Sequence, residues 1–183
     1  ACGTTCTSDP EVIEHAIACD RFSGFSHTER HNLVRDALCE VATRFGVWCT
    51  KEPTNFVYSS DVRQRPDVTF NLPKPIVTDV TVVRPVDEAG HAAAMAAKTK
   101  INTHLQATAA KDMVFIPFAL ETFGHLDKCC YELIEAIAKQ LPRSLQYRFR
   151  FDMLHAVSTA LARGRVMALL QSVLPSTGLP GLC

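Results

Sequence analysis

Two aspartates stand where an ionised carboxylate is costly. Asp79 interrupts the β-branched run IVTDVTVV at residues 76–83, a pattern expected of a strand covered on both faces. Asp67 follows Pro66 at the start of the preceding extended segment. A buried carboxylate needs a partner or a metal. The stretch between the two acids is long enough for a strand, the turn segment NLPKP and a return strand, so a hairpin can bring both carboxylates to one end. Clustered carboxylates repel unless a cation lies between them, and oxygen ligands with open positions suit Mg²⁺ or Mn²⁺. Glu40, at the edge of a helical stripe, is a candidate third acid for that magnesium site.

Such a site can hydrolyse a phosphodiester, because a cation steadies the attacking water and the developing phosphorane charge. Nucleases of the pattern PD…(D/E)-x-K add a lysine two residues after the second acid. Here that residue is Thr81. The pattern tolerates a lysine displaced onto the following helix, which carries Lys98 and Lys100. Two residues apart, these point roughly 200° from one another around a helix, so only one can face the acids. Lys98 shares a face with His91, Asn102 and Leu105 and is expected inward; Lys100 is expected to be solvated. Arg63 and Arg65, just ahead of Asp67, are candidates for holding DNA phosphates. The structural alternative is that Asp67 caps a turn and Asp79 pairs with Arg65 or Arg84.

A second group suits a different metal. Cys2, Cys6, His15 and Cys19 form C-x3-C-x8-H-x3-C within the first 19 residues. Three thiolates and an imidazole make a closed tetrahedral set for structural Zn²⁺. His15 and Cys19 are i, i+4 and share one side of a short helix. The segment is too small and polar to hold a core of its own, so zinc would supply its folding energy.

The remaining sequence must position these groups. Ser26 and Glu29 have capping-box spacing ahead of an apolar stripe that runs from Leu33 to Phe45 and closes at Gly46. Extended segments are expected at 47–49, 56–59, 67–71, 76–83 and 113–120, and helices at 87–110, 125–140 and 146–173. The order predicts an α/β core, a mixed β-sheet flanked by helices, with a parallel strand–helix–strand crossover between residues 76 and 120. The expected units are a knuckle over residues 1–25, a domain over 26–173 and a flexible tail over 174–183. Ala1 reads as a cut in a longer chain. With 183 residues, 47% apolar and 21% charged, the composition is globular rather than disordered. No apolar run is long enough to span a membrane.

Nineteen bases balance nineteen acids, which excludes a polybasic arm or an acidic activator as the whole story. Residues 140–183, however, carry five arginines and one acid, Asp152. Arg143, Arg148 and Arg150, with Arg163 and Arg165, are therefore candidates for contacting a polyanion. The eight cysteines are expected reduced, with Cys39, Cys129 and Cys130 serving as small core residues. Trp48 is expected in the core, Glu121 either against the Gly124 turn or at the metal, and His31 at the junction between knuckle and helix.

Taken in order, CxxxC…HxxxC, Arg30-His31-Asn32, Glu52-Pro53, RPDV, DVTV, a lysine-bearing Ala-rich helix and the run from Phe115 to Gly124 resemble the C-terminal region of site-specific non-LTR retrotransposon proteins. The likeness spans about residues 2–140. The Ala-rich helix and long tail look most like the spliced-leader-associated elements of kinetoplastids. The resemblance implies a CCHC zinc knuckle followed by a restriction-enzyme-like PD-(D/E)xK endonuclease. That enzyme would nick target DNA in the nucleus and leave a 3′-hydroxyl to prime reverse transcription. Its partners would be the target DNA, the element RNA held through the parent protein, and a reverse transcriptase domain upstream in the same chain. Asp67 and Asp79 carry over as metal ligands and Lys98 or Lys100 as the displaced lysine. The spacing between the acids is slightly short for the family, and Asn102 or His104 stands where an aromatic is expected.

Overall fold

The structure, a computed structural model, describes residues 8, 11, 15, 20–53 and 65–173. Four helices are described: α1 (Asp20–Arg44), α2 (His91–Ala109), α3 (Lys128–Ala138) and α4 (Arg143–Val173). Six strands accompany them: β1 (Cys49–Lys51), β2 (Val68–Phe70), β3 (Ile76–Thr78), β4 (Val80–Val83), β5 (Val114–Phe115) and β6 (Phe118–Glu121). The architecture is mixed α/β. The expected strand at 56–59 lies outside the described residues.

The sheet order is β1-β2-β3-β5, antiparallel except for the parallel β3–β5 pair. β4 and β6 form a second parallel pair. These two parallel pairs share one register, because Ile76 lies opposite Val114 and Val80 opposite Phe118. Backbone bonds from Ile116 N–H to the Val77 carbonyl (3.0 Å) and from Phe118 N–H to the Asp79 carbonyl (3.0 Å) carry the ladder across the gap. The run at 76–83 is thus a strand interrupted at Asp79, and the crossover to 114–121 is parallel.

Side chains alternate along these strands. Val68, Phe70, Ile76 and Val80 point to one face and join the main core with Val34, Leu38 and Val41 of α1, Leu133 and Ile137 of α3, and Phe149, Met153 and Val157 of α4. The α4 positions recur every three or four residues, as an amphipathic helix requires. Where α4 crosses α1, Gly164 lies against the buried Arg30; a Cβ there would stand 2.4 Å from Arg30 Cγ. The opposite face carries Val77, packed with Phe115, Ile101 and Met113, and Ala119, packed with Ala97 and Cys129. Helix α2 covers that face.

Several expectations are corrected. Helix α1 runs through Ser26 and Glu29 rather than starting there. Serine costs only a few tenths of a kcal/mol inside a helix, so capping-box spacing marks a start only where the preceding residues stop the helix. The same helix crosses position 25 without a break. Helix α3 begins at Lys128, where the Asp127 side chain accepts from Cys129 N–H at 3.0 Å. Trp48, just ahead of β1, is 69% exposed rather than in the core; among the described residues β1 is an outer strand of the sheet. Cys39, Cys129 and Cys130, by contrast, are buried free thiols as expected.

Candidate active site

The two aspartates meet by strand register. β2 and β3 pair Val68 with Thr78, so one further step sets Asp67 opposite Asp79 on the face beneath α2. Antiparallel partners share a face, which is why a hairpin of this register makes an acid pair. The Asp67 carboxylate also continues the ladder: Val80 N–H donates to its Oδ2 at 2.6 Å. From α1, His31 Nε2 reaches the same oxygen at 2.8 Å. Glu52 N–H, just beyond β1, donates to the Asp67 carbonyl at 2.9 Å, and Arg35, one helical turn after His31, pairs with the Glu52 carboxylate.

Asp79 is held from the other side. Lys100 Nζ lies 2.6 Å and His104 Nε2 3.3 Å from its Oδ2. Both residues come from α2 at i and i+4. The phase of α2 follows from Ala93 and Ala97, which are buried against the sheet; seven residues on, the same stripe presents Lys100 and His104. Alanine there lets the helix approach closely enough for a lysine to reach the strand. The start of α2 is fixed by Gly90, whose left-handed φ of 90° suits glycine and whose N–H donates to Glu121 Oε1 at 2.9 Å. Glu121 is buried and serves both ends: its carboxylate holds the start of α2, and its carbonyl accepts from Gly124 N–H at 2.9 Å in the turn that follows.

The electrostatics are those of a strained pair. The Asp79 carboxyl is held well below the usual carboxylate range despite burial, chiefly by His104, with Asp67 and Lys100 adding to it. The Asp67 carboxyl is pushed up, first by burial and then by the neighbouring Asp79 charge, against the opposing pull of His31. Asp67, hydrogen-bonded to His31, raises the imidazole's pKa in turn. Two carboxyls close enough to share a proton titrate as one unit, and here the reluctant member is Asp67.

Lys98 is exposed, and so are His91 and Leu105, the residues used to set its phase. The inward aspect expected of Lys98 belongs to Lys100. Glu40 is exposed and lines a cleft with Cys49 and Lys51; it does not join the acids. Arg65 is exposed and Arg63 lies outside the described residues. Asp79 pairs with neither Arg65 nor Arg84 among the described contacts. Cys2, Cys6 and Cys19 also lie outside the described residues, and His15 is a half-buried helical residue.

On α4, Arg143 is exposed. Arg148 Nε binds Asp152 at 2.7 Å, and Arg150 forks onto Glu135 of α3 at 2.7 and 3.0 Å. Glu135 is a second acid offsetting this basic segment, invisible in a local charge count because it comes from another helix.

His31 and His104 are the site residues that spacing did not assign to the acids. The signal for His104 was its place four residues after Lys100. The signal for His31 was only its charge-capable side chain on the stripe that includes Arg35.

A divalent cation fits this set on three observations. The donors are oxygens. Asp67 is held up partly by a like charge that a cation would offset. The buried hydroxyl of Thr81, two residues from Asp79 on the same face, has no hydrogen-bond partner among the described residues. Those residues contain no group of three or more His, Cys, Asp or Glu arranged around a metal, so Mg²⁺ would depend on two carboxylates with water and phosphate oxygens, a habit of that ion.

No family model matches the chain, and no curated protein is significantly similar to it. What the fold defines is a mixed α/β protein in which α1 brings one histidine, and α2 a lysine and a second histidine, to an acid pair on the strands. None of its described helices is long and apolar enough to cross a membrane.

Proposed function

We propose that this chain carries a PD-(D/E)xK-type, metal-dependent DNA endonuclease that nicks target DNA for a retrotransposon protein. The observation that carries the reading is the Asp67–Asp79 cross-strand pair with Lys100 at 2.6 Å. In this proposal Asp67 and Asp79 hold the catalytic Mg²⁺ or Mn²⁺, which when bound would acidify an attacking water and offset charge on the phosphate. Lys100 keeps Asp79 ionised and offers an ammonium to a phosphate oxygen; His31 orients Asp67 and His104 braces Asp79. Attack of water on phosphorus breaks the bond to the 3′-oxygen, which leaves as a 3′-hydroxyl able to prime reverse transcription. Cys2, Cys6, His15 and Cys19 would bind structural Zn²⁺. Target DNA is the substrate, with Arg63, Arg65 and Arg143 proposed as phosphate contacts. Element RNA and an upstream reverse transcriptase domain belong to the parent protein, acting in the nucleus.

One observation favours a second reading. Lys100, His104 and His31 already pair with both carboxylates, as they would in a purely structural ion cluster of a nucleic-acid-binding or supporting module. A supercoiled-plasmid assay separates the two. The wild-type chain should nick with Mg²⁺ or Mn²⁺ and stop on chelation, and Asp67→Asn or Asp79→Asn should lose about a hundredfold or more in rate while keeping a native circular dichroism spectrum. A folded wild-type chain that never nicks would favour the structural reading.

A further inference from the structure

Away from the acid pair, a cleft of about 620 Å³ opens between α1 and β1. Two thiols lie in its wall. Cys39 is buried on α1, and Cys49, at the start of β1, is half-exposed. Cys49 Sγ lies 3.5 Å from the Cys39 carbonyl and 3.6 Å from Thr43 Oγ1. The charged groups around it are Asp36, Glu40 and Arg44 on α1 and Lys51 on its own strand; Lys51 Nζ stands 3.1 Å from Asp36.

We propose that Cys49 is a site of oxidation by hydrogen peroxide, with Cys39 as the thiol that closes a disulfide on it. A reactive cysteine needs an accessible sulfur, donors that favour the thiolate and, for a reversible outcome, a second thiol at hand. Cys49 has all three. As a thiol, Cys49 donates to the Cys39 carbonyl; the adjoining Cys39 side chain, the Thr43 hydroxyl at 3.6 Å and the Lys51 charge favour its thiolate and lower its pKa against the opposing effect of burial. Exposure divides the roles: Cys49 is half-exposed and meets the oxidant first, whereas Cys39 is buried behind it on α1.

The chemistry balances. The Cys49 thiolate attacks one peroxide oxygen, the O–O bond breaks, and the departing hydroxide takes a proton to become water. Cys49 is left as the sulfenic acid. The Cys39 sulfur then attacks the Cys49 sulfur, the S–O bond breaks, and hydroxide leaves with the Cys39 proton as a second water. Two thiols are oxidised to one disulfide and the peroxide is reduced to two waters. The product ties α1 to β1. The other neighbouring thiols, Cys129 and Cys130, are buried in the first turn of α3 and serve as internal references.

Trypsin separates the cysteines, since cleavage after Arg35, Arg44 and Lys51 puts Cys39 on residues 36–44 and Cys49 on residues 45–51, while Cys129 and Cys130 fall on residues 129–139. The full chain is treated with hydrogen peroxide, its remaining thiols are alkylated, and the peptides are mapped by mass. Peptides 36–44 and 45–51 should appear joined and should separate on reduction. In Cys39→Ser, Cys49 should stop at the sulfenic acid and be trapped by dimedone. Without peroxide, iodoacetamide should label Cys49 about tenfold or more faster than Cys129 or Cys130. Labelling of Cys49 no faster than theirs, or peroxide treatment that leaves peptides 36–44 and 45–51 unlinked, would overturn the proposal. None of these readouts depends on nicking.

Discussion

The two faces of the β2–β3 hairpin solve opposite problems with adjacent residues. One face presents Val68, Phe70, Ile76 and Val80 to a core shared with α1, α3 and α4. The other presents Asp67, Thr69, Val77 and Asp79 to α2, whose reply is two alanines, a lysine and a histidine. The first face is stabilised by apolar burial and close packing. The second buries charge, which is weak evidence for stability even when paired. A fold can keep carboxylates in a covered strand, then, when one covering layer carries the apolar burden and the other supplies counter-charges from a helix thin enough to come close.

That contrast makes its sharpest test a pair of neighbours. Phe70→Ala should cost about 3–5 kcal/mol in chemical denaturation, as expected for emptying a packed site. Thr69→Val, one residue away on the acid face, should be neutral or stabilising by up to about 1 kcal/mol, because its buried hydroxyl has no partner among the described residues. Equal losses at both positions would erase the distinction between the faces.

Next in size is the lysine. If the acid face is a nuclease site, Lys100→Ala should slow plasmid nicking about a hundredfold, the usual scale for removing one electrostatic stabiliser, and Lys98→Ala should leave it within about twofold, as for a solvated side chain. A variant series with Lys98 as the sensitive position would contradict the stripe set by Ala93 and Ala97.

The smallest effect is one of titration, in the presence of chelator. Asp79 has a depressed folded-state pKa. Its stabilisation is therefore complete above the unfolded carboxylate value of 3.8 and lost as pH falls through the depressed one. Asp67 has the opposite sign: its raised pKa means that ionising it opposes folding as pH rises above the unfolded value. Asp79→Asn removes a like charge, so the Asp67 carboxyl should titrate at lower pH by carboxyl-carbon NMR. An unchanged Asp67 titration would show that burial alone raises it.

The sequence showed the acid face through two anomalies, a charge inside IVTDVTVV and another directly after Pro66, and showed the strand at 76–83 as covered on both faces. Both acids were legible because a charge stands out in an apolar β-branched run. The lysine was not. In a segment where Ala92, Ala93, Ala94, Ala96 and Ala97 are all apolar, hydrophobicity cannot set helical phase, and the flanking His91 and Leu105 misled because both are exposed. His31 was missed for a different reason. It comes from a helix 36 residues before Asp67, and no local spacing encodes a contact of that range. Glu135 escaped the charge count on α4 in the same way.

The shared register of the two parallel ladders also orders events in time. The Val68–Thr78 hairpin closes over a short turn, whereas the β3–β5 and β4–β6 pairings need all of α2 to form first. Short loops close sooner and at lower entropic cost than long ones. The carboxylates are therefore brought face to face early, while Lys100 and His104 arrive only when the crossover docks. In that interval the nascent hairpin carries two mutually repelling charges that water alone must screen, so the helix that completes the crossover also relieves the repulsion created by the first turn.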